Sequence, residues 1–291
     1  MNKRASLTII AIIYLFGIAL AVWSYRMLPY ESMLLRLFVA DIIGTLWIFL
    51  WATVLKNASL YDPYWSVAPP VILIGLVGTW SVSKGLLLMV VGFWSIRLTL
   101  NWAIEFKGLA HQDWRYDHYK ARYQRLWPLV NLFGIMMMPT VIVFAALMPA
   151  VFIMADGFVF SPFTMVFVLT GLIATVIQWR SDTELRAFRK HSPGSVMDQG
   201  LWSLSRHPNY FGELLFWGSL LLMALSVDWA YAYSSVGFIA MVVLFLVISI
   251  PLMEKRQRFK KPEYETYMKR TNMLLPLPKE PFKRVHKLRN K

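Results

Sequence analysis

The chain has 291 residues, 57% of them hydrophobic and only 16% charged, with 13 tryptophans and a net charge of +14. A soluble domain carries roughly a quarter charged residues, so this composition excludes one and points to an integral membrane protein. There is no cysteine, which excludes disulfides, zinc–thiolate centres and cysteine nucleophiles. The basic excess borders apolar runs, so it is read as contact with anionic headgroups and not with nucleic acid.

A helix needs about 20 apolar residues to span a bilayer. Candidate spans lie near 6–24, 33–55, 65–81, 84–103, 129–153, 159–179, 209–226 and 231–252. The first follows Lys3 and Arg4 and contains "ALA" at 19–21, as a signal peptide would, but its apolar run is long for one. In the second span, Arg36 and Asp41 are five apart, a poor spacing for helix partners. Each is read as an interfacial or structurally paired group. The third span is short, carries Pro69 and Pro70, and is expected to be broken or tilted. Ahead of it, Asp62 before Pro63 reads as a helix cap, with Tyr61, Tyr64 and Trp65 as interfacial aromatics. Arg97 lies near the end of the fourth span, where snorkelling competes with a functional role.

The stretch 104–128 mixes charge with Trp114, Tyr116, Tyr119 and Tyr123 and is expected to hold an amphipathic surface helix. His111 and His118 are seven apart and close no metal-ligand spacing, so no metal is expected. Asp182, Arg186 and Arg189 fall on one face of a helix continuing from the sixth span. A carboxylate beside two guanidiniums suits an anion clamp. A loop broken by Pro193, Gly194 and Gly200 leads to "SRHPNYFGE" at 205–213. There Ser205 reads as a cap and Pro208 as a first-turn residue, so free amides open the next helix. Asn209 and Glu213 are four apart, as are Glu254 and Arg258, and Tyr264 and Tyr267 follow in a short helix. The basic tail over 277–291 reads as headgroup-binding.

Lysine and arginine set the orientation. With eight spans, 26 of these residues fall on one side and 2 on the other, with Arg36 and Arg97 inside spans. Both termini are therefore expected on the cytoplasmic side. The predicted fold is an all-α integral membrane protein, a bundle of about 7–8 transmembrane helices with cytoplasmic loops and a short amphipathic C-terminal helix.

From "SDTELRAFRK" through "GLWSLSRHPNYFGE" to "EKRQRFKKPEYETYMKRTNMLLP", the chain resembles the steroid 5-alpha-reductase superfamily. It is most similar to the bacterial branch with a domain of unknown function numbered 1295, and also to the C-terminal half of the sterol C14- and C7-reductases. The resemblance implies a membrane-embedded reductase that uses NADPH on a carbon–carbon double bond of a lipid-like substrate, in a bacterial inner membrane. It implies cofactor binding by Asp182, Arg186, Arg189, Arg206, His207, Asn209, Tyr210, Glu213, Glu254, Arg258, Tyr264 and Tyr267. In the resembled reductases a glutamate before an "AVP"-like helix start and a tyrosine three residues before an arginine bind the substrate's ketone. Here Asp62 stands ahead of "SVAP", and Trp94 stands three before Arg97. Asp62, Tyr64 and Arg97 are the implied catalytic residues. The implied parts are one membrane domain with accessory spans over 1–58, a substrate half over 59–128 and a cofactor half over 175–276. "RHPNYFGE" also resembles isoprenylcysteine carboxyl methyltransferases and phospholipid methyltransferases, so an S-adenosylmethionine-dependent methyltransferase is the rival reading. A non-catalytic lipid-binding protein is the third.

Overall fold

The computed structural model describes residues 2–156 and 161–278. It is 81% helical, with no strands among the described residues. Seven helical runs there are long and apolar enough to cross a membrane, as expected of an all-α integral membrane protein. The expected basic tail lies outside the described residues except for its first two positions.

Local chemistry explains where the helices start. The Asn2 side chain accepts from the Ala5 amide and opens α1 (Lys3–Met27). Ser32 opens α2 (Met33–Val54), and Ser81 opens α4 (Val82–Glu105). Such caps satisfy amides that the first turn leaves without partners. The third element, α3 (Tyr64–Gly75), is short, as expected, with only 12 residues, but it lacks the expected side-chain cap. At 1.5 Å per residue it covers about 18 Å, too little for a hydrocarbon core about 30 Å thick. Pro69 and Pro70 lie inside it, each removing an amide donor. Residues 76–81 follow without helix, and Lys84 Nζ donates to the Val77 carbonyl there (2.7 Å).

The polar stretch after α4 does form a short helix, α5 (Trp114–Tyr123), capped by Asp113. It runs through a 3-10 turn, a three-residue α6 (Trp127–Leu129) and a π segment (Val130–Met137) into α7 (Met138–Asp156). Then come α8 (Pro162–His191) and α9 (Pro208–Val227). The last run is α10 (Ser235–Val243), a π segment (Leu244–Ser249) and α11 (Ile250–Lys260), and α12 (Tyr264–Arg270) follows.

The chain divides into two compact units, residues 1–168 with 220–240, and residues 169–219 with 241–291. In the first, α1 packs along α2. The Trp47 indole donates to the Ile13 carbonyl (2.9 Å), and Tyr14 Oη donates to the Leu60 carbonyl (2.7 Å). In the second, α8 packs so closely on α9 that a Cβ on Gly212 would meet the Ala174 carbonyl at 2.8 Å. That proximity requires glycine.

Candidate functional site

In the first unit, polar bonds gather around the turn between α2 and α3. Asn57 Nδ2 donates to the carbonyls of Leu109 (2.8 Å) and His111 (3.1 Å). The Ala58 amide donates to Gln112 Oε1 (2.7 Å), and the Asp113 amide to Ser59 Oγ (2.9 Å). These bonds seat loop 106–113 on the turn and bring α5 over Asp62. The Asp62 carboxyl accepts from Tyr116 Oη. It does not cap α3, whose cap position is Pro63 with no side-chain bond. The cap expectation fails because the carboxyl is taken by a residue 54 positions away.

Burial pushes the Asp62 carboxyl up to about 6, offset by the Arg115 guanidinium and the Tyr116 hydrogen bond. Arg115 is itself held by Asp113 (Nε–Oδ1 2.8 Å). Tyr61 Oη lies 2.8 Å from Thr140 Oγ1, which lies 2.9 Å from Thr45 Oγ1. Tyr64 turns away from Asp62, donating to the Asp41 carboxyl (2.7 Å) and carbonyl (2.8 Å). Asp41 is thus paired, but to Tyr64 and not to Arg36, which lies over the Tyr25 ring (5.0 Å). Arg97 and Trp94 are buried, so Arg97 does not snorkel.

In the second unit, α8 continues well past its apolar part, so Asp182, Arg186 and Arg189 do share a helix. Asn209 Nδ2 donates to Asp182 Oδ1 (3.4 Å), and Arg186 Nη2 to Thr183 Oγ1 (3.1 Å). Burial and the nearby Arg189 guanidinium hold the Lys261 ammonium below its ordinary value, while Nζ donates to the Ser195 carbonyl (2.7 Å). Lys261 had no place in the sequence reading, and only its proximity to Arg189 in space identifies it.

The loop before α9 is fastened by buried charge. Arg206 Nε pairs with Glu254 Oε1 (2.7 Å), and its Nη1 donates to the carbonyls of Met268 (3.1 Å) and Thr271 (2.8 Å). His207 Nε2 lies 3.1 Å from the same Glu254 oxygen, and its ring stacks on Tyr210 (5.3 Å between centroids). Tyr267 Oη donates to the Trp202 and Ser205 carbonyls, and Tyr264 packs edge-on against it. Ser205 Oγ accepts from the His207 amide (3.1 Å). Glu254 and Arg258 do not pair with each other despite their spacing. Arg258 pairs with Glu265 (2.8 Å), because α12 folds back beside α11. Glu213 is buried and accepts from Trp217 Nε1 (3.0 Å).

The family described as Protein of unknown function (DUF1295) matches residues 48–271. The chain belongs to this family. Searches of curated proteins and of solved structures found no match. Every candidate site residue, from Asp62 to Tyr267, falls inside the family region. All of α1 and most of α2 precede it.

Two site features were absent from the sequence reading. Tyr116 stood there as one surface aromatic among several, and nothing local marks it as Asp62's partner. The Asp41–Tyr64 bond links positions 23 apart, and no helical period relates them.

Proposed function

We propose that this membrane protein is an NADPH-dependent reductase of a carbon–carbon double bond in a lipid-like substrate. The reading assigns the nucleotide to the second unit and the substrate to the first. What supports it most is the concentration of basic groups where α8 ends. Arg186 and Arg189 share one face of α8 by their spacing, and Lys261 joins them, its ammonium depressed by burial first and by the Arg189 charge second. Cations crowded together are relieved by an anion, and phosphate groups are the natural complement.

The residues present therefore fit a nucleotide. Arg186, Arg189 and Lys261 would hold its phosphates, and Asn209, Tyr210 and Glu213 its ribose and nicotinamide end. When bound, the cofactor supplies a hydride. Arg206, His207, Glu254 and Tyr267 are proposed as positioning residues, because their polar atoms already bind one another and the carbonyls of the loop. Asp62 is proposed as the group that holds a proton for the substrate's polarised oxygen, with Tyr116 beside it as a second hydroxyl donor.

The test is a titration of detergent-purified protein with NADPH, NADH and S-adenosylmethionine. Saturable NADPH binding, weakened at least tenfold by R186A/R189A, is expected. Binding of S-adenosylmethionine in its place overturns the reading in favour of a methyltransferase.

A further inference from the structure

A cavity of about 150 Å³ lies between α1, α2 and α3, walled by apolar side chains such as Ile18, Ala21, Ile48 and Val71. Its lining positions on α1 run from Tyr14 to Arg26, about 18 Å of helix at 1.5 Å per residue. Pockets for drug-sized ligands occupy about 300–1,000 Å³. So small a volume along this length of helix makes a groove. It suits one hydrocarbon chain and is too small for fused rings.

One buried polar pair interrupts the apolar wall. Asp41 is 7% exposed. Its Oδ1 accepts from Tyr64 Oη (2.7 Å). Its Oδ2 carries no hydrogen bond among the described residues and is not among the fully buried atoms there that lack a partner, so it is open to the cavity that Asp41 lines. A carboxyl oxygen facing an apolar cavity is costly to leave without a hydrogen bond. An ionised carboxylate only accepts, so the ligand that suits Oδ2 is one that donates. Gly44 secures this arrangement, because a Cβ there would meet Tyr64 Oη at 2.5 Å and push it off Asp41.

We propose that this cavity binds a single-chain lipid alcohol, with its hydroxyl donating to Asp41 and its chain lying between α1, α2 and α3. Tyr14 to Gly44 precede the family region, so most of the site is built from residues outside it. The proposal goes beyond the reductase reading and needs no nucleotide.

The experiment uses the full chain in phosphatidylcholine nanodiscs and a dodecanol carrying a photoreactive diazirine on its chain. Crosslinks are mapped by peptide mass spectrometry, with 1-dodecanol, dodecyl methyl ether and dodecylamine as competitors. Labelling is expected within residues 14–26, 37–48 and 64–75. Dodecanol should compete about tenfold better than the ether, the worth of about one hydrogen bond to a buried group. Asp41→Asn should erase that preference, since an amide nitrogen can donate to an ether. Ala21→Phe should fill the groove and abolish labelling. Labelling elsewhere, equal competition by alcohol and ether on the unsubstituted protein, or labelling that survives Ala21→Phe overturns the proposal. So does a strong preference for dodecylamine, which would make this a cation site. If Asp41→Asn fails to fold, the competitor ratio and Ala21→Phe still decide.

Discussion

Asp62 is a carboxyl whose surroundings oppose its charge. Its value is raised from 3.8 to about 6, chiefly by burial. For an acid shifted upward, the folded state holds the proton more tightly than the unfolded chain. Its contribution to stability is therefore fullest below about pH 4 and is lost as pH rises through about 6. Asp62→Asn removes that loss while keeping an acceptor for Tyr116. The variant is expected to be more stable than the native chain at pH 8, by about 1–2 kcal/mol after allowance for partial exposure. At pH 4.5 the gain should fall to about a third. Unfolding in mixed micelles with increasing dodecyl sulfate at both values checks this, and a gain that grows toward low pH would contradict it. This scale was only half legible in the sequence. Asp62 stood out by its place before a proline, and that cue suggested a cap. Its true partner lies on α5, and long-range pairing of this kind leaves no periodic trace. Arg206 and His207 were legible as unusual at a helix mouth, yet their attachment to Glu254, about 50 positions on, was not.

Among the elements, those set by composition and period were the readable ones. Long apolar runs gave α1, α2 and α4 within a few residues, because hydropathy and caps agree there. The amphipathic stretch after α4 gave α5 for the same reason. The Pro69–Pro70 pair marked α3 as irregular, but its end at Gly75 depends on packing that the sequence does not display. The π segments at Val130–Met137 and Leu244–Ser249 were not legible, since one extra residue in a helical turn does not alter an apolar run. Close helix approach was equally hidden. Gly237 on α10 lies so near α7 that a Cβ would overlap the backbone of Ala145. Gly237→Ala is therefore expected to cost about 2 kcal/mol. Gly92→Ala on α4, where nothing lies within 4 Å, should be neutral or gain up to ~1 kcal/mol. Thermal unfolding of the two variants in detergent tests the contrast, and similar losses in both would contradict it.

For the molecule as a whole, the charge asymmetry and the first unit's hydrogen bonds agree about which segments share an end. Lys3 Nζ donates to the Ile104 carbonyl, and the Leu109 amide to Ser6 Oγ. With the Asn57 bonds, these gather the start of α1, the end of α2 and the end of α4. The short α3 and the non-helical 76–81 segment connect α2 back to the start of α4 and are expected to make the crossing between them. The native chain has no cysteine, so single substitutions report topology directly. Cysteines at Lys56 and Gln112 should react with an impermeant maleimide from one side, and at Gly78 from the other. The positive-inside rule predicts that the first pair reacts from the cytoplasmic side. Reaction of Lys56→Cys and Gly78→Cys from the same side would contradict the crossing. The central claim is the chemistry, and isotope transfer tests it most directly. The purified protein, deuteride-labelled NADPH and an unsaturated membrane-lipid extract are combined, and products are read by mass spectrometry. The account predicts a lipid product heavier by one deuterium and one hydrogen, formed only with the nucleotide and lost in R186A/R189A. Unlabelled lipids after full turnover conditions, or a methylated product when S-adenosylmethionine replaces the nucleotide, would contradict it.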